Sequence, residues 1–121
     1  MREIVRYKTL DACMKAFGVE GLGHWKWMDA DGKLFTMSLK EMKAKSRKRR
    51  CWAWVENKET IHLWMGNGCK EETLVRVLAH EMGHMERPFH RGPIEEQKAA
   101  KYERVAMDAY RMAKKIRREW K

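Results

Sequence analysis

The stretch from Glu71 to Met85 most constrains what this chain can fold into. Leu74, Val77, Leu78, Glu81 and Met85 recur at three- and four-residue steps, which predicts a helix with one buried face. That helix carries His80-Glu81-Met82-Gly83-His84. Residues four apart stand one above the other on a helix, so the two imidazoles share a face. Pro88 ends or kinks the helix, because proline lacks the backbone N–H and clashes with the preceding turn. After Pro93 a second helical pattern begins. Ala99, Tyr102, Ala106, Ala109 and Ala113 line one side of it, and the small residues among them allow another helix to approach closely.

Upstream the pattern is mixed. Leu10, Cys13, Met14 and Phe17 have helical spacing, with Thr9 placed to cap the start and Gly18 the end. His24 to Met28 and Lys33 to Met37 alternate around Asp31-Gly32, which predicts a hairpin. Ser38 to Ser46 reads as a short basic helix. Cys51 to Val55 and Thr60 to Met65 form a second predicted hairpin around Asn57-Lys58-Glu59. The expected order is an N-terminal helix, about four short strands, the motif helix and a long C-terminal helix, which is an α+β architecture. With 121 residues, 44% of them hydrophobic, the expectation is one domain over residues 1–121 with a single core.

H-E-x-x-H on a helix is a zinc-binding pattern. Imidazole nitrogens at i and i+4 can reach one Zn²⁺ at about 2.0–2.1 Å, and Glu81, one position on, can act on the metal's water as a general base. A catalytic zinc takes a third protein ligand and keeps a position open. His90 lies six residues after His84, the outer spacing of H-E-x-x-H-x-x-G-x-x-H, but Arg87 and Pro88 stand where that pattern needs its glycine turn. Glu96 shares the stripe of Ala99, Glu103 and Ala106 and should face the motif helix. Glu96 is therefore the favoured third ligand, with His90, Glu95 and Glu103 as the alternatives.

Val77-Leu78-Ala79-His80-Glu81-Met82-Gly83-His84, followed by Glu96, Ala99 and Tyr102, resembles the active helices of gluzincin-type zinc metallopeptidases. The short chain is similar to their minimal prokaryotic and phage members, among them the ImmA/IrrE type, which acts on DNA-binding repressors. The resemblance covers about residues 71–110. It implies a zincin-like fold, zinc held by His80, His84 and Glu96, hydrolysis of a protein or peptide substrate with Glu81 as base, and a strand along the cleft just before the active helix. Thr60 to Met65 is the expected strand, and as an edge it would take an extended peptide by strand addition.

Lys and Arg number 27 against 17 Asp and Glu, a formal net charge of +10. Such an excess favours anionic partners, and the run Lys43 to Arg50 suggests weak nucleic-acid contact. Trp25, Trp27, Trp52, Trp54 and Trp64 sit at strand spacing, where packing is expected before base stacking. His24, His62, Tyr102 and Tyr110 are the remaining groups able to stabilise an oxyanion. No apolar run approaches the roughly 20 residues of a membrane span, and Met1 to Arg6 has no apolar signal region. Three cysteines, Cys13, Cys51 and Cys69, cannot all pair, so reduced thiols and a cytoplasmic location are expected.

Overall fold

A computed structural model describes residues 3–28, 33–85 and 93–119. Its strands are β1 (Glu3–Tyr7), β2 (His24–Met28), β3 (Leu34–Ser38), β4 (Cys51–Val55) and β5 (Thr60–Met65). Its helices are α1 (Leu10–Phe17), α2 (Leu39–Arg49), α3 (Glu71–Met85) and α4 (Pro93–Glu119), and one 3₁₀ turn spans Val19–Gly21. The architecture is α+β, with a long C-terminal helix.

Local chemistry sets the boundaries. Thr9 Oγ1 accepts from the Ala12 N–H at 3.1 Å, and Gly18 closes α1 at φ 86°, a conformation that costs glycine little. Ser38 Oγ caps α2 by accepting from the Glu41 N–H at 3.2 Å. That helix runs to Arg49, a turn beyond the expected Ser46, and ends on Arg50 in the left-handed region at φ 61°. The basic run therefore lies on a helix, and its charges disperse. Lys43 pairs with Asp11 and Glu20, Arg47 with Asp11, and Lys45 lies over the Phe35 ring. The turn at Asp31-Gly32 falls outside the described residues, but the flanking strands pair antiparallel from His24↔Ser38 to Met28↔Leu34.

The main sheet has the order β1-β5-β4, which corrects two expectations. β1 is a fifth strand, parallel to β5 from Glu3↔Thr60 to Tyr7↔Trp64. Charged residues at every third position weaken its sequence signal, in keeping with an edge strand protected against further pairing. Because β1 covers one side of β5 and β4 the other, Thr60–Met65 is the central strand and not the edge.

The edge of the sheet opposite β1 belongs to β4, which pairs with no second strand among the described residues. The Gly66 N–H donates to Arg50 O and the Glu56 N–H to Thr60 O, so residues 50, 52, 54 and 56 turn their backbone groups toward β5. By the alternation of an antiparallel ladder, Cys51, Ala53 and Val55 turn theirs outward.

Side chains divide the sheet into two faces. Trp52 and Trp64 pack with Leu10, Cys13, Met14, Met37 and Met42 under α1 and α2. Cys51, Ala53, Val55, Ile61 and Leu63 pack on the other face with Val77 and Met85 of α3. The small side chains of β4 on this second face let α3 lie close to the strand. Helix α4 then runs antiparallel to α3, as Glu96 meets His84 near one end and Arg111 meets Glu72, at 3.3 Å, near the other. Among the described residues no helix is long and apolar enough to cross a membrane.

Candidate metal centre

The α3–α4 contact depends on the glycine within the motif. A Cβ built on Gly83 would stand 2.9 Å from Ala99 Cα and 3.0 Å from Tyr102 Cβ. Any larger residue there would hold the helices apart. Ala99 is buried in this seam, and one turn before it α4 directs Glu96 back across α3.

The Glu96 carboxylate bridges the two imidazoles. Oε2 lies 3.2 Å from His80 Nε2 and Oε1 lies 3.0 Å from His84 Nε2. The rings of His80 and His84 stand 5.0 Å apart at 70°, and the three residues form one cluster of potential ligand atoms. Four-coordinate zinc with bonds of about 2.0–2.1 Å has tetrahedral edges of about 3.3–3.4 Å. The two separations, 3.2 and 3.0 Å, are near that length but run to different oxygens of Glu96, and the candidate ligand atoms of the three residues lie within 4.8 Å of one another; two imidazoles with one carboxylate form a donor set suited to zinc. By donor chemistry the three residues could hold such an ion.

Behind His80 stands Glu103, also on α4, with Oε1 3.6 Å from Nδ1. The sequence leaves Glu103 open as a ligand, whereas the structure places it on the opposite nitrogen of His80, where a carboxylate orients a ligating imidazole. His84 Nδ1 is buried without a hydrogen-bond partner among the described residues. Burial works against a charged His80, but the carboxylates of Glu103 and Glu96 outweigh it and raise its pKa to about 10. Burial likewise opposes ionisation of Glu96, yet hydrogen bonds from His80 and His84 bring it down to about 2.

Glu95 is not in the cluster, and its carboxylate lies 3.9 Å from Lys98 Nζ. His90 falls outside the described residues. Glu81 lines the same cavity as His80, His84 and Glu96, one position along the helix from His80.

That cavity, about 290 Å³, is lined by Trp52 to Val55 of β4 and by Trp25 and Lys26 of β2. The sequence pattern marks the tryptophans as packing residues. Trp52 is core, while Trp25 and Trp54 also wall the cleft.

His62 is committed elsewhere. It stacks on Trp54 at 3.8 Å and 3°, shares a 2.8 Å hydrogen bond with the Tyr7 hydroxyl, and faces Glu56 at 3.4 Å. His24 is exposed on β2, Tyr102 lies over Gly83, and Tyr110 sits further along α4, near Lys114. Cys13 and Cys51 are free and buried, and burial raises each thiol to about 12, far from the thiolate that reactivity needs.

Sequence reasoning misses Arg49. It ends α2, lines the cavity beside His80 and Glu81, and donates from Nη2 to Cys51 O at 3.5 Å. Nothing in a run of cations distinguishes the one that the turn at Arg50 swings into the cleft. Compared with known proteins, the chain matches no family model, no curated protein and no solved structure.

Proposed function

We propose that the chain is a small zinc-dependent metallopeptidase of zincin type, with His80, His84 and Glu96 holding the metal and Glu81 serving as general base. The observation that carries this reading is the convergence of Glu96 on both imidazoles of an H-E-x-x-H helix, at the head of a cleft that Glu81 also lines. A zinc ion in such a site supplies Lewis acidity toward a carbonyl oxygen and acidifies water.

The chain's own residues have distinct tasks in this reading. Glu103 holds the Nδ1 proton of His80 and so keeps Nε2 directed inward. Glu81 takes a proton from the attacking water and passes it to the departing amine. The outward backbone groups of Ala53 and Val55 on β4 bind an extended chain by strand addition, the task the resemblance assigns to the strand before the active helix.

An intact base is what separates hydrolysis from a purely structural zinc site. Glu81→Gln keeps size and reach but removes the base. With zinc-loaded protein and unfolded casein as substrate, the variant should retain its metal and fold while cleavage falls by about 10²–10⁴-fold. Equal cleavage by both proteins, or none by the zinc-loaded wild type, would count against the proposal.

A further inference from the structure

Helix α4 has two faces. Glu96, Ala99, Glu103 and Met107 make the inner one, meeting α3 or lying buried. Around the helix from them, Tyr102, Val105, Ala109, Met112 and Ile116 form a second row. Its steps are three, four, three and four residues, which are the a and d positions of a heptad. Tyr102, Ala109 and Ile116 take a, and Val105 and Met112 take d. All five are exposed, Val105 by 64% and Met112 by 59%. Single exposed apolar side chains are ordinary, but a continuous row of them marks an interaction surface.

The end of the helix points the same way. Arg111 meets Glu72, in the first turn of α3, and from Arg111 to Glu119 every residue is exposed. These last turns have no buried face of their own, whereas helical turns in proteins draw most of their stability from one.

The row is complementary to itself in one arrangement. In an antiparallel pair of helices, a positions face d positions of the partner. With Ala109 opposite the second copy's Met112, Val105 falls opposite its Ile116 and Tyr102 opposite its Glu119. Two-fold symmetry makes each contact twice. The small Ala109 leaves room for the long Met112, and the Tyr102 hydroxyl can donate to the Glu119 carboxylate. The g positions beside the row are Lys101, Asp108 and Lys115, and this register sets Asp108 beside the second copy's Lys115. Asp108 is 3.9 Å from Arg111 in its own helix and its side chain stays 79% exposed, so it is open to a second cation. A slip of one heptad sets Asp108 against Asp108 or Lys115 against Lys115. A parallel pair sets Asp108 beside Ala113 and Ala109 on Ala109.

We propose that the chain forms an antiparallel dimer through this face of α4, in the register that pairs Asp108 with Lys115. The narrow a/d seam, with Asp108 and Glu119 on its border, suits a helix better than a membrane surface, which takes a broad apolar face ringed by cations. The proposal is independent of the peptidase reading, because Glu96 and Glu103 lie on the inner face.

Sedimentation equilibrium of the full chain tests it, at about 0.15 M salt to screen the +10 charge of each copy. The interface is small, so a reversible monomer–dimer equilibrium is expected between about 5 and 200 μM. Met112→Glu places a charge in the seam and should weaken association about tenfold or more. Asp108→Lys and Lys115→Asp each replace two opposite-charge pairs by like-charge ones and should weaken it about three- to tenfold. The two together restore the pairs and should return it to within about twofold of wild type. One single variant raises the net charge and the other lowers it, so overall repulsion cannot explain a loss in both. All three positions are exposed, and circular dichroism checks that each variant keeps its fold. If one charge variant unfolds, the other and Met112→Glu decide. A monomer at every concentration would overturn the proposal, including one that adsorbs instead to vesicles of anionic phospholipid. So would a dimer indifferent to Met112→Glu or to the single charge changes, or a double swap that fails to restore association.

Discussion

Replacing Gly83 by alanine tests the link between helix packing and the metal site. The added methyl would lie 2.9 Å from Ala99 Cα, a backbone atom that no rotamer change can move. Restoring an ordinary contact of about 3.4 Å requires α3 and α4 to separate by about 0.5 Å. The substitution also gains helix propensity of about 1 kcal/mol, set against an overpacking cost of about 1–3 kcal/mol. Metal-free stability should therefore fall by no more than about 2 kcal/mol. Metal affinity is more sensitive, because ligand distances tolerate only about 0.2 Å and Glu96 lies one turn from the displaced Ala99. A loss of about 10–100-fold is expected, equivalent to about 1.4–2.8 kcal/mol. Competition against a chromophoric chelator measures the affinity, and thermal unfolding of the metal-free protein measures the rest. Ala99→Gly should not rescue the variant, since the closest atom is the α-carbon. Wild-type affinity in Gly83→Ala, or rescue by Ala99→Gly, would refute the reasoning.

Two further outcomes follow from the ion pairs. Glu103→Gln should weaken zinc binding by about 10–100-fold without changing the one-metal stoichiometry, whereas loss of the metal altogether in a chelator titration would make Glu103 a direct ligand. With its pKa raised to about 10, His80 is protonated in the metal-free protein at neutral pH. Its contribution to metal-free stability is full below the unfolded value of about 6.5 and is lost as pH rises through about 10. Metal uptake requires the neutral ring, so binding at pH 7 should release at least one proton and tighten with rising pH. Calorimetry in buffers of different ionisation enthalpy checks this, and proton-neutral uptake would contradict it.

The site is more legible in the sequence than its setting. His80 and His84 are readable because helical periodicity fixes which residues share a face, and the spacing of the alanine stripe alone aims Glu96 at them. The role of Thr60–Met65 is not readable. Whether a strand is central or at an edge depends on what pairs with it, and β1 bears too little buried surface to announce itself. Once β1 takes the far side of β5, the cleft edge passes to β4. Glu103 and Arg49 have the same origin. Facing the motif helix does not tell which nitrogen of a histidine a carboxylate meets, and a cation inside a basic run is placed only by the turn at Arg50. The motif's own glycine carries a signal too, as its spacing from the histidines sets it against the alanine stripe.

X-ray absorption at the zinc edge of the reconstituted full chain examines the proposed ligand set directly. The account predicts one zinc per chain with a shell of nitrogen and oxygen at about 2.0–2.1 Å, two imidazoles in the outer scattering, and loss of that shell in Glu96→Ala. Sulfur at about 2.3 Å, a third imidazole, or an unchanged spectrum in Glu96→Ala would contradict it.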